Sequence, residues 1–114
     1  MKFDKFEDML VWQKAKDLSK KIYKEFENSK DWGFKEQIQR AAVSIMNNIA
    51  EGYERSSNNE FKHFLFIAKG SCGETRSMLH LAKDLEKLST EISEKIIRDS
   101  EEISKMLSGL IKTL

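Results

Sequence analysis

The sequence predicts an all-α protein that folds as an antiparallel, up-down-up-down four-helix bundle. Apolar residues recur at helical spacing in four segments, and three short polar breaks separate these segments. The 114 residues include no proline, and this favours long, uninterrupted helices because proline breaks them. A chain of this length fits one domain, so we expect residues 1–114 to form a single bundle.

The first two helices are predicted at about residues 8–26 and 32–51. Each segment has apolar residues spaced by three and four positions, as one face of a helix requires. Asp8 and Asp31 precede the two apolar stripes and are the candidate N-caps. The stripes consist of Val11, Ala15, Leu18 and Ile22 in the first helix and of Phe34, Ile38, Ala41, Ala42, Ile45 and Ile49 in the second.

The third and fourth helices are predicted at about residues 59–88 and 90–111. Ser57 and Glu60 have the S-x-x-E spacing of a capping box, although either of the asparagines between them could be the cap instead. The stripes consist of Phe61, Phe64, Leu65, Ala68, Cys72, Leu79 and Ala82 in the third helix and of Ile92, Ile96, Ile103, Leu107, Leu110 and Leu114 in the fourth. Because the loops are short, we expect consecutive helices to be antiparallel.

Composition excludes several classes of protein. The chain has 20 basic and 19 acidic residues, so its net charge of +1 gives no general attraction to nucleic acid. No apolar stretch approaches the roughly 18 residues of a membrane span, and the acidic N-terminal residues do not resemble a signal peptide. Cys72 is the single cysteine, which excludes an internal disulfide and fits a reducing compartment. We therefore expect a cytoplasmic protein with no membrane partner.

Candidate catalytic and metal-binding motifs lack the spacing that their chemistry needs. Glu60 and His63 form an E-x-x-H motif, but a di-metal bundle requires a second one, and His80 has no acid three residues earlier. Cys72 and His80 lie about 12 Å apart on one helix, too far for a nucleophile and its base. The glycine-rich residues 70–73 lack the Lys-Ser/Thr of a phosphate-binding loop. We predict no cofactor, no metal and no enzymatic activity.

Apolar residues beside the stripes widen the apolar faces of the first and third helices. They are Trp12, Tyr23, Phe26, Phe66, Ile67, Met78 and Leu81. Because large exposed aromatic patches are rare on monomers, this width favours self-association. The alternative is that Trp12 and Tyr23 are half-buried at the edge of a monomeric bundle. Gly70 and Gly73 each cost about 1 kcal/mol relative to alanine inside a helix, and they predict close approach of a neighbouring helix.

A polar set follows one side of the second helix: Arg40, Ser44, Asn48 and Glu51. In an antiparallel hairpin Arg40 lies opposite Glu74 of the third helix, and we predict a partly buried ion pair between them. Because buried charges are costly unless they are paired, we interpret the set as a structural network that fixes helix register. A binding or catalytic role is the alternative.

Lysines cluster on the outer face of the first helix, where Lys16, Lys20 and Lys24 recur every four residues. A solvated helix face is one interpretation. The other is a ridge that contacts nucleic-acid phosphates and is multiplied by the symmetry of an oligomer. Arg55 and Lys62 are further candidates for such contacts.

Several motifs resemble those of a known bacterial family. They are VWQKA at residues 11–15, QIQRAAVSI at residues 37–45, NIAEG at residues 48–52 and IAKGS at residues 67–71. Because these motifs occur in the same order, the chain resembles the four-helix-bundle family that is named from proteins encoded in intervening sequences of 23S ribosomal RNA genes. The resemblance implies a small cytoplasmic bundle that assembles as a ring-like homopentamer and has no established enzymatic activity.

The resemblance also implies partners. A related member, the accessory variability determinant of diversity-generating retroelements, is a pentamer that binds nucleic acid and a reverse transcriptase. We therefore predict a non-enzymatic, oligomeric RNA- or DNA-binding accessory protein that contacts phosphates through its lysine-rich helix face. The alternative is a ring-like homo-oligomeric scaffold that binds a protein partner and has no role with nucleic acid.

Overall fold

The computed structural model describes residues 3–114, in which four helices follow a short 3-10 turn at Phe6–Asp8. The helices are α1 (Leu10–Glu25), α2 (Trp32–Tyr53), α3 (Asn58–Asp84) and α4 (Thr90–Lys112). Consecutive helices pack against each other and α1 also packs against α4, so α1 and α3 occupy diagonal positions in the bundle. The predicted all-α four-helix bundle is confirmed.

The core runs along the bundle between the four apolar stripes. Its largest fully buried aliphatic side chains are Leu18, Ile22, Ile38, Ile45, Ile49, Leu65, Leu79, Ile103 and Leu107. Burying each of them contributes roughly 1.5–3 kcal/mol. Predicted stripe residues near the helix ends are less buried: Phe34 and Leu110 are partly buried and Ile92 is exposed. The hydrophobic spacing therefore predicts the interior of the core better than its ends.

Polar side chains cap the N-termini of three of the helices. The Asp31 carboxylate accepts a hydrogen bond from the amide of Phe34 at 3.2 Å, as predicted for the start of α2. The Ser57 hydroxyl accepts one from the amide of Glu60 at 3.2 Å, so Ser57, and neither of the two asparagines that follow it, is the cap of α3. Ser89 caps α4 in the same way. Each cap satisfies an amide that has no carbonyl partner within its helix.

The start of α1 differs from the prediction. Asp8 belongs to the 3-10 turn, and Met9, whose side chain is buried, occupies the N-cap position without any side-chain cap. The amide of Met9 donates to the carbonyl of Phe6 at 2.9 Å. The predicted Asp8 cap is wrong because Asp8 lies in the tight turn that precedes α1. The buried side chain of Met9, rather than a carboxylate, occupies the start of the helix.

The end of α3 also differs, since the helix ends at Asp84 and not near residue 88. Glu86 adopts a left-handed conformation with φ of 58°. The amide of Lys87 donates to the carbonyl of Ala82 at 2.8 Å, and that of Glu86 donates to Lys83 at 3.1 Å. These two bonds form a Schellman motif, which closes the helix and satisfies its last carbonyls.

Close helix approach occurs at Gly52 and not at the predicted glycines. A Cβ on Gly52 would lie 2.7 Å from Cβ of Phe64 and 3.2 Å from the carbonyl oxygen of Phe61, so α2 and α3 are in contact there. A Cβ on Gly70 or Gly73 would meet no atom within 4 Å. The predicted approach at Gly70 and Gly73 is wrong because both project away from the helices that contact α3.

Candidate functional site

A seam of small polar side chains joins α2 to α3. The hydroxyl oxygens of Ser44 and Ser71 are 2.8 Å apart. The side-chain amide of Asn48 donates to the backbone carbonyl of Ser44 at 2.8 Å. The Thr75 hydroxyl donates to the carbonyl of Ser71 at 2.9 Å. Of the predicted polar set, the structure brings Ser44 and Asn48 together. Sequence analysis missed Ser71 and Thr75, although their place opposite Ser44 in the hairpin register is a usable signal.

The charged members of the polar set lie outside this seam. Arg40 is paired with Glu36 on its own helix and its side chain is 76% exposed. Glu51 pairs with Arg55 at 2.6 Å, and within residues 3–114 Glu74 forms no ion pair. The predicted buried pair of Arg40 and Glu74 is therefore wrong. A pair one turn apart on an exposed helix avoids the desolvation that a buried pair requires.

The side chains of α3 that resemble catalytic groups are separated. Cys72 is buried and its thiol donates to the carbonyl of Ser100, with 3.1 Å between sulfur and oxygen. Burial raises the pKa of Cys72 to about 11, which the nearby charge of Arg76 only partly opposes. The thiol is therefore protonated at neutral pH, while His63 and His80 are exposed. Within residues 3–114, no cluster of three histidine, cysteine or acidic residues could hold a metal ion.

The α1 lysine face consists of Lys16, Lys20 and Lys24, all of which are exposed. Lys16 lies over the ring of Trp12, with its Nζ 5.2 Å from the ring centroid. Two other lysines of the helix face α4 instead: Lys14 pairs with Glu102 and Lys21 with Asp99. In the part of the chain that is described, the three lysines of the α1 lysine face form no ion pair.

Arg55 and Lys62 do not extend this face. The Arg55 guanidinium lies 2.6 Å from Glu51, 3.9 Å from Glu60 and 4.7 Å from the centre of the Phe64 ring, so its charge is balanced. Lys62 is partly buried. Both lie at the end of the bundle where α1 begins, whereas Lys24 lies at the other end. The five predicted cations therefore occupy two regions of the surface.

The outer face of α3 carries four exposed apolar side chains, with exposed Glu74 and Ser77 between the two pairs. Phe66, Ile67, Leu81 and Leu85 are between 40% and 55% exposed, and Gly70 is exposed between them. We call these five residues the α3 outer face. Other residues of the widened apolar faces pack inward, since Phe26 and Met78 are buried and Trp12 is partly buried, while Tyr23 is 49% exposed. The excess of apolar residues is thus concentrated on α3. Within the described residues, no helix is long and apolar enough to span a membrane.

The chain is similar to proteins of one known family. Residues 7–109 match the 23S rRNA-intervening sequence protein family. The chain belongs to this family. A similar member is a protein of unknown function from the S23 ribosomal protein family of Bacteroides thetaiotaomicron, whose crystal structure has a TM-score of 0.85 and 33% sequence identity over 90% of this chain and 99% of that one. No curated protein matches this chain.

Proposed function

We propose that this protein is a non-enzymatic accessory protein that self-assembles through the α3 outer face and presents the α1 lysine face to nucleic acid. The diagonal placement of α1 and α3 carries the proposal. It directs an apolar surface and a cationic surface to opposite sides of one bundle. An oligomer that buries the first surface leaves the second on its outside, repeated once for each subunit.

Self-assembly is supported by features of α3 that the single bundle does not use. Its four large side chains leave apolar area in water, whose burial is worth about 25 cal/mol per Å². Gly70 and Gly73 each lower helix stability by about 1 kcal/mol, and no helix of the same chain approaches them. A second copy packed on this face would use the space that both glycines leave. The resemblance to ring-forming proteins supports five copies.

The mass of the protein in solution tests the assembly. Light scattering should give a multiple of the 13.3 kDa subunit, and Leu81→Lys should lower it towards one subunit. The matched control is Leu10→Lys, because Leu10 is 54% exposed and belongs to α1, which does not pack against α3. A monomeric wild type, or equal behaviour of the two variants, would refute assembly through this face.

Nucleic-acid binding is supported by the distribution of ion pairs. The acids of α4 neutralise Lys14 and Lys21, which leaves Lys16, Lys20 and Lys24 to face solvent. Three cations spaced by one helical turn contact phosphates through charge, with no base specificity. In an oligomer each subunit contributes three such cations, so the local charge exceeds what the net charge of +1 suggests.

Titration of RNA and duplex DNA with the triple variant K16Q/K20Q/K24Q tests this second part. We expect weaker binding and a shallower dependence on salt than in the wild type. The alternative function is an oligomeric scaffold for a protein partner, of which a reverse transcriptase is one candidate. Balanced cations such as Arg55 favour it, and it predicts weak binding to nucleic acid that does not depend on these lysines.

A further inference from the structure

A second cationic surface lies between α3 and α4, on a side of the bundle that the α1 lysine face does not reach. It is a groove of about 550 Å³. It is lined by Arg76, Glu101, Ser104, Lys105, Ser108, Gly109 and Lys112. Three of these residues are cations and one is an acid, so the groove is positive although the whole chain is nearly neutral.

The cations of this groove are available to a ligand. Within residues 3–114, Arg76, Lys105 and Lys112 take part in no ion pair. Glu101, the one acid of the groove, forms no ion pair with them within the described residues, and other acids of α4 pair elsewhere: Asp99 and Glu102 with α1, and Glu94 with Lys83 at 3.7 Å. The ion pairs of α4 therefore leave positive charge on its groove side.

Basic residues recur every seven positions on both helices that form the groove. Lys62, Lys69 and Arg76 do so on α3, and Arg98, Lys105 and Lys112 do so on α4. Seven residues are nearly two helical turns and about 10.5 Å of helix length, so each set forms a row along its helix. Two rows of charges along a seam suit a ligand with many phosphates better than a single anion.

The shape of the groove also suits phosphate. Ser104, Ser108 and Gly109 are small, and a Cβ on Gly109 would meet no atom within 4 Å, so the α4 side of the groove is open. The serine hydroxyls can donate hydrogen bonds to phosphate oxygens. Arg76 is partly buried without a carboxylate partner, and its planar guanidinium can bind two phosphate oxygens at once.

We infer that the groove between α3 and α4 binds the phosphate groups of a nucleic-acid backbone. This inference rests on the proposed nucleic-acid function and names for it a site separate from the α1 lysine face. Recognition through phosphates predicts binding that is strong at low salt and largely independent of base sequence.

The test compares three triple variants that each remove three positive charges. R76Q/K105Q/K112Q alters the groove, K16Q/K20Q/K24Q alters the α1 lysine face, and K5Q/K30Q/K95Q is the control for net charge, since all three of its lysines are exposed elsewhere. Binding of labelled duplex DNA is measured by fluorescence anisotropy at about 50 and 200 mM salt. Circular dichroism establishes that each variant is folded.

We expect the groove variant to weaken binding at least about tenfold at low salt. The slope of log K against log salt should become shallower by about 2.7, because three phosphate contacts are lost and each contributes about 0.9 to the slope. The control should change both much less. If the groove variant behaves like the control while the α1 variant loses affinity, the inference is overturned and the proposed function stands. If the groove variant alone loses affinity, the inference holds and the α1 lysine face is not the site.

A second measurement distinguishes phosphate binding in the groove from the proposed nucleic-acid function. Inorganic tripolyphosphate is added to the wild type, and the amide resonances of Arg76, Ser104 and Lys105 are followed by NMR. Selective shifts of these resonances without any binding of nucleic acid would refute the proposed function and would overturn nucleic acid as the ligand of the groove, which would then be a site for polyphosphate alone. No shift, together with an unaffected groove variant, would overturn the inference whatever binds elsewhere.

Discussion

Replacing Gly52 by alanine tests the packing of α2 against α3 most sharply. Alanine is the better helix former by about 1 kcal/mol, so an isolated α2 would be stabilised by the change. In the bundle, the added Cβ would lie 2.7 Å from Cβ of Phe64, 3.0 Å from Cδ1 of Phe61 and 3.2 Å from the Phe61 carbonyl oxygen. The local preference and the tertiary packing therefore predict opposite signs.

The contact geometry indicates that the packing penalty exceeds the gain in helix propensity. Two of the three atoms are a Cβ and a backbone oxygen, neither of which can move away by side-chain rotation, so α2 and α3 must separate. Overpacking of this kind costs about 1–3 kcal/mol, and the short contact places Gly52→Ala near the upper value. After the gain in helix propensity, we expect a net loss of about 2 kcal/mol.

The assay is thermal and urea denaturation followed by circular dichroism. A loss of about 2 kcal/mol should lower Tm by about 8 °C for a chain of this size. Gly109→Ala is the matched control, because its Cβ meets nothing within 4 Å and the variant should gain up to about 1 kcal/mol. If Gly52→Ala were as stable as the wild type, or moved in the same direction as the control, the proposed contact at Gly52 would be refuted.

Three further variants test local features of the fold. Ser57→Ala should destabilise the protein by about 1 kcal/mol in urea denaturation, because the amide of Glu60 loses its capping acceptor. Glu86→Gly should stabilise it by about 1 kcal/mol, since glycine adopts a φ of 58° without strain; a loss of stability would contradict the Schellman assignment. Because burial raises the pKa of Cys72 from 9.0 to about 11, the unfolded chain loses this proton first, and stability should fall as pH rises from about 9 to 11. Cys72→Ala should remove that part of the pH dependence, and an unchanged slope would contradict it.

The sequence was sufficient for features that depend on neighbouring residues. Apolar spacing located the four helices, and the caps at Asp31 and Ser57 follow from side chains that bind amides three residues away. It failed where the backbone conformation has no sequence signature. Asp8 has the chemistry of a cap but lies in a 3-10 turn, and Glu86 is left-handed although it is not glycine.

Contacts between helices were harder to predict. Gly52 and Gly70 have similar sequence surroundings inside helices, and only the assembled bundle shows that the first is enclosed and the second is open. Arg40 pairs with Glu36 one turn earlier on its own helix, and the hairpin register, which relates residues of α2 to residues of α3, does not indicate such a pair. The groove around Arg76 and Lys105 was missed because its charges come from two helices, although their seven-residue spacing is visible in the sequence.

Titration of structured RNA and duplex DNA at about 50 and 200 mM salt tests most directly whether this nearly neutral chain presents cations to nucleic acid. The proposed function predicts sub-micromolar binding at the lower salt that weakens steeply at the higher one. Absence of binding at the lower salt would contradict it and would favour the oligomeric scaffold with a protein partner.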